Sequence, residues 1–333
     1  PPMTGTLLLA VEGKGDPEGT PFITLGGKAA TDPRDDPTAP GVNAVLSGVS
    51  VYYPEQVRAN PPHAYPWTIR GNGDDCGILN VSIVNAYQAV DFGTYPCGRH
   101  YVDGLYAYPF KTGVYVNACF DVGRLHRIHL WPFFDLDPKS PLWEYTRNHG
   151  TAFIFGRTDG EQVMDCFSIF YHVGIHLIGG PVKVSGPGEP DRFEYQGGAA
   201  AFTNVYTDVT PCAIKVDDSM EHAGYSFSNC CIMSKVDVGP RNRGPVRFSG
   251  CGFWATADLE SHATLDGVGS VTFEGCHFVN WDRANQGRPC IDANARRVLI
   301  TGCDFISIRP DHHKVTLGPK VREAVVTSNL MGG

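Results

Sequence analysis

The chain has 333 residues, a formal net charge of -8, 39 glycines, 25 prolines and only 19% charged residues. Short apolar runs broken this often by turn formers exclude a helical bundle, and an acidic chain without a basic stripe excludes a nucleic-acid partner, which needs surplus Lys and Arg. No apolar run approaches the roughly 20 residues that cross a bilayer, so no membrane span is expected.

The opening Pro1-Pro2-Met3 lacks the charged-then-apolar form of a signal peptide. We therefore expect an upstream part carrying the N-terminal repeats or cap and any signal. Residues 1–333 otherwise read as one elongated domain, with no low-complexity or Ser-rich linker dividing it. The proline-rich stretch 52–75, with Tyr65 and Trp67, reads as a long inserted loop that ends in the tight turn Asp74-Asp75.

Strand-like alternation begins at Ala89-Val90-Asp91-Phe92-Gly93 and returns at Gly113–Asn117, Ala152–Gly156, Gly174–Ile178 and Ala213–Asp217. The second and fourth residues of each segment are apolar, which turns the third outward. Asp91, Tyr115, Ile154, His176 and Lys215 then form one outward row, with neighbouring strands about 4.8 Å apart. The steps between segments are 24, 39, 22 and 39 residues, and the two long ones place insertions at about 131–150 and 179–200. Inserted loops of this kind commonly wall a binding site. The first insertion holds Trp131, Phe133, Phe134 and Trp143, whose faces suit stacking on sugar rings, and a short helical turn around Leu142 to His149.

The last third carries the clearest repeat. Val246–Trp254 (VRFSGCGFW), Val271–Val279 (VTFEGCHFV) and Val298–Ile306 (VLITGCDFI) superimpose, with Cys251, Cys276 and Cys303 spaced by 25 and 27 residues and Cys230 extending the column by 21. Gly or Asn before each Cys permits a left-handed bend between two strands. The cysteines, with Cys166, then point inward as a ladder of small core residues. Eleven cysteines without a paired C-x-x-C arrangement make neither a disulfide framework nor a metal site the expectation. The segment REAVVTSNLMGG reads as a final strand. These features together predict an all-β, right-handed parallel β-helix with inserted loops.

A repetitive fold of this kind carries chemistry on an exposed strand face and its turns. Asp91 is the first candidate, near Arg99 and His100, Asp121 and Arg124, and Phe155-Gly156-Arg157-Thr158-Asp159. Glycoside hydrolysis needs an acid and a second carboxylate roughly 5–9.5 Å apart, a distance that one or two repeats span, so Asp91 with Asp159 or Asp121 is the expected catalytic set. Arg157 would hold a substrate carboxylate or a catalytic acid. His126 and His129 alternate outward on one strand and suit substrate contact, as does Trp131. A lyase or epimerase acting on a uronate polymer is the alternative. It would use Lys215, His176 or Tyr115 as base beside Asp217, and Ca²⁺ would serve as its cofactor; the hydrolase needs none. A third reading is a structural or adhesive surface solenoid that binds glycan without cleaving it.

The phrases VYYPEQ, YPWTIRG, VDFGT, CFDVGRLHRIHLWPFF and FIFGRTD resemble those of the glycoside hydrolase family 28-related, pectate-lyase-like proteins of bacteria, from about Gly5 onward. The resemblance implies a β-helix and a carbohydrate-active role, with Glu55, Asp91, Asp121, Arg157 and Asp159 at the site. It also implies a secreted, periplasmic or cell-surface protein acting on a polysaccharide or oligosaccharide, as a monomer or a homotrimer. No N-T-D, G-H-G or R-I-K motif is present, so hydrolysis of polygalacturonate is not implied.

Overall fold

The computed structural model describes residues 5–26, 43–186, 189–255, 259–309 and 311–331. The chain is nearly all β. Among the described residues its strands form a 19-stranded sheet and an 11-stranded sheet, plus the two-stranded antiparallel hairpin Gly180–Lys183 with Phe193–Gln196. Both long sheets pair in parallel throughout, and the chain visits them alternately. One repeat shows the pattern: Tyr225–Ser228 and Cys231–Ile232 lie in the first sheet and Lys235–Val238 in the second. Each pairs with its counterpart one repeat later, as Tyr225 with Val246, Cys231 with Gly252 and Val236 with Ala263. This topology is compatible with a parallel β-helix.

The bend between the two first-sheet strands of each repeat is where the sequence demands Gly or Asn. Asn229, Gly250, Gly275 and Gly302 all have positive φ, from 53° to 64°, and Cys230, Cys251, Cys276 and Cys303 after them are buried. Cys166 follows Asp165 (φ 53°) in the same way, so the inward ladder holds in this column. Beside it Phe202, Phe227, Phe248 and Phe273 stack in register, ring centroids 4.5–5.0 Å apart and planes within 12° of parallel. At Gly275 a methyl group would meet nothing within 4 Å. Gly275→Ala is therefore expected to cost only the left-handed backbone penalty, about 1–2 kcal/mol, read as a lower denaturation midpoint. Gly275→Asn should recover part of it, because Asn tolerates this conformation.

The outward row holds in register: Asp91, Tyr115, Ile154, His176 and Lys215 are successive partners in the second sheet. The loop assignment over 52–75 needs correction, because Trp67–Gly71 is a strand of that same sheet. Its short length and the prolines just before it hid its alternation. The 131–150 insertion contains the helix Pro141–His149, longer than a single turn, capped by Ser140, whose Oγ accepts from Leu142 N–H. Trp143 staples this insertion down by stacking on Phe170, centroids 4.1 Å apart. Between it and the 52–66 loop lies an open cleft of about 590 Å³, flanked by Arg58, Asp135 and Asp137. The 179–200 insertion is the antiparallel hairpin. Final strand Glu323–Thr327 is present as expected. No described helix is long and apolar enough to cross a membrane.

Candidate functional site

Asp91 does not stand open to solvent. Its side chain is wholly buried, 2.5 Å from Arg70 Nε, and its Oδ1 accepts from the backbone N–H of Gly93 (2.9 Å) and Thr94 (2.8 Å). The row does face away from the core, but Arg70 is the row member one strand earlier and Tyr115 the one after. A Cβ on Gly93 would strike the Tyr115 ring at 2.5 Å, and Trp67 stacks on Tyr115 with centroids 6.3 Å apart. The carboxylate is thus enclosed by its neighbours, with no approach for a glycosidic oxygen.

The other two expected acids are likewise committed. Asp121 is exposed, but Arg99 Nη1 lies 3.1 Å from it, and that arginine also binds Asp74 and Asp75. The Arg99 hydrogen bond, helped by Val122 N–H, holds the Asp121 carboxyl below its ordinary range. Asp159 accepts from Arg157 Nη1. Arg157, expected to meet substrate, is instead buried, donating to Thr158 O as well and lying over the Phe120 ring. His100 is also buried, with Nδ1 2.7 Å from Cys97 O and Nε2 3.0 Å from Glu161 Oε1. Neither side chain is more than 10% exposed. Glu55 is exposed and paired with Lys14 at 2.5 Å.

The lyase set is assembled in part. His176 Nε2 lies 3.1 Å from Asp217 Oδ2, and this hydrogen bond keeps Asp217 below the usual carboxylate range. Lys215 and Tyr115 are half-buried members of the same row. The hairpin stands beside them, with Tyr195 under Arg241, which pairs with Asp217 at 3.4 Å.

A second constellation forms on the outer face of the first sheet. Asp103 in Tyr101–Ala107 pairs in register with His126 in Arg124–Leu130, and Asp165 follows the strand Asp159–Met164. His126 Nδ1 is 3.1 Å from Asp103 Oδ1 and Nε2 is 3.0 Å from Asp165 Oδ2. Arg127 Nε donates to Asp103 at 2.6 Å and Asn204 Nδ2 to Asp165 at 2.6 Å. The Asn204 bond and then the His126 bond hold the Asp165 carboxyl below the ordinary range. All of these side chains are at least partly exposed.

His126 and His129 both face outward although they are three apart, because Arg127 between them takes a positive φ of 52°. Strict alternation would have put one of them in the core. His129 continues an aromatic strip in register, from Tyr106 through His129 and Phe167 to Tyr206. His129 sits 4.8 Å from the Phe167 ring, and Trp131 lies 6.1 Å from the same ring. Partial burial in this strip lowers the His129 pKa. Arg124, at the start of the strand, is exposed and bonded to Val122 O. His129, Trp131 and Arg124 were thus legible in the sequence as surface groups, whereas Asp103 and Asp165 were missed. The available signal was the bend column itself, since Asp165 precedes Cys166 as Asn229 precedes Cys230.

Compared with protein-family models and with curated proteins, the chain matches none.

Proposed function

We propose that this chain is a secreted, pectate-lyase-like right-handed parallel β-helix that binds a polysaccharide along the outer face of its first sheet and hydrolyses it there. The observation carrying the reading is the placement of two partly exposed carboxylates, Asp103 and Asp165, on opposite nitrogens of His126 beside the Tyr106, His129 and Phe167 strip. The aromatic faces supply stacking surface for pyranose rings. The two acids belong to strands two steps apart, roughly 9–10 Å of backbone separation at about 4.8 Å per step. The carboxylates themselves are held closer than their strands, because both bond to one imidazole at 3.1 and 3.0 Å, which brings them within the roughly 6.5–9.5 Å of an inverting hydrolase.

In this scheme Asp165, held ionised by Asn204 and His126, takes a proton from the attacking water. Asp103, in its acid form, gives a proton to the leaving glycosidic oxygen. Proton exchange with bulk water at each acid then restores the starting state.

Incubation with a panel of acidic and neutral polysaccharides tests this. New reducing ends, with the anomeric configuration inverted in the first product seen by proton NMR, are expected. Products carrying a 4,5-unsaturated uronate, detected by near-ultraviolet absorbance, would overturn hydrolysis in favour of a lyase centred on Lys215, His176 and Asp217. Tight binding without any product would leave a non-catalytic glycan-binding face.

A further inference from the structure

Behind the Arg99 turn, three repeats bring His100, Cys119 and Glu161 together. All three are buried, at 0%, 0% and 1% exposure. A ring nitrogen, the thiol sulfur and a carboxylate oxygen lie within 4.8 Å of one another. His100 Nδ1 is 2.7 Å from Cys97 O, which fixes the tautomer by donation to that carbonyl and turns Nε2 into the cluster. Glu161 Oε1 meets Nε2, but Glu161 Oε2 is buried without a hydrogen-bond partner. Leaving a carboxylate oxygen unsatisfied in the interior is costly unless a cation meets it. Gly123 closes the cluster: a Cβ there would lie 2.5 Å from both Glu161 Oε2 and His100 Nε2, so only glycine leaves this space open.

We infer that His100, Cys119 and Glu161 form a buried binding site for a divalent transition-metal ion of the zinc type. One imidazole, one thiolate and one carboxylate are the donor types zinc takes, and the two anionic donors balance its charge. The Cys119 thiol, which contacts Asp121 O at 2.7 Å, gives up that contact and its proton on binding. Three protein ligands leave a fourth position to water, and full burial of all three keeps the ion off the exposed sheet face, so its role is structural. Its ligands come from the turns before Tyr101–Ala107 and after Thr112–Val116 and from the strand Asp159–Met164. It therefore ties three successive repeats beneath the strands that carry Asp103, His126 and Asp165. This assignment does not depend on the hydrolase proposal. Cysteine spacing gave no hint of it, because the three ligands are some 20 and 40 residues apart and only stacking of repeats unites them.

The full chain, stripped with chelator and titrated with Co²⁺ and then Zn²⁺, tests it. One equivalent of Co²⁺ should bind with a near-ultraviolet thiolate-to-cobalt band that Zn²⁺ bleaches, and the melting temperature should rise with bound metal. Cys119→Ser should lose the band, and Glu161→Gln, which keeps the side-chain shape, should bind more weakly while retaining the band. Folded wild-type protein that takes up no stoichiometric Co²⁺ would overturn the site. So would a band that persists in Cys119→Ser, which would locate the metal on another cysteine.

Discussion

Asp165→Asn is expected to lower turnover of the cleaved polysaccharide by about 10²–10⁴-fold, the usual worth of a positioned acid or base, with little change in binding. The substitution keeps the side-chain shape, and its amide oxygen can still accept from one of the two donors that Asp165 meets on separate oxygens, Asn204 at Oδ1 or His126 at Oδ2. What it removes is the negative charge and the ability to take a proton from water. Asp103→Asn should fall by a similar factor, and the double variant should lose little more than either alone, because the two groups act on one transition state. Affinity electrophoresis in gels containing the polysaccharide would show retained retardation, since the aromatic strip is untouched. Replacing Tyr106 and Phe167 by Ala should do the opposite and weaken binding. If Asp165→Asn keeps wild-type turnover, the role given to this face is wrong.

Arg70→Ala is expected to be among the most destabilising single changes in the chain, costing about 3–5 kcal/mol. Asp91 is fully buried and Arg70 is its only charged hydrogen-bond partner among the described contacts, the others being two backbone N–H groups. Removing the guanidinium leaves a carboxylate that is 0% exposed with only two backbone N–H donors. The paired replacement of Arg70 by Met and Asp91 by Leu should cost much less than Arg70→Ala, because both charges leave together. Denaturation midpoints of the two variants, compared with that of Asp91→Asn, separate the cost of an orphaned charge from the value of the pair itself. Wild-type stability in Arg70→Ala would mean that Asp91 is reached by solvent after all.

The register of the outward row was available from alternation alone, yet the conclusion drawn from it for Asp91 was reversed by one residue. In the sequence Arg70 reads as part of a loop, because the prolines preceding Trp67 mask a five-residue strand. Once that strand joins the sheet, its arginine falls directly beneath Asp91. Facing away from the core is a property of one strand, whereas exposure depends on what the neighbouring strands set above and below it.

By itself, the sequence determined the repeat, its alternation, the left-handed bends and the inward Cys column, since all of these follow from backbone geometry acting over a few residues. It also located both long insertions, because a break in period is a local signal. Only the tertiary structure decided which charged groups meet. Asp103 with Asp165, His100 with Glu161 and Arg70 with Asp91 lie 62, 61 and 21 residues apart in the chain, and the strand pairing brings each pair together. Charge pairing between such distant positions depends on stacking register and on burial, neither of which any short stretch of residues encodes.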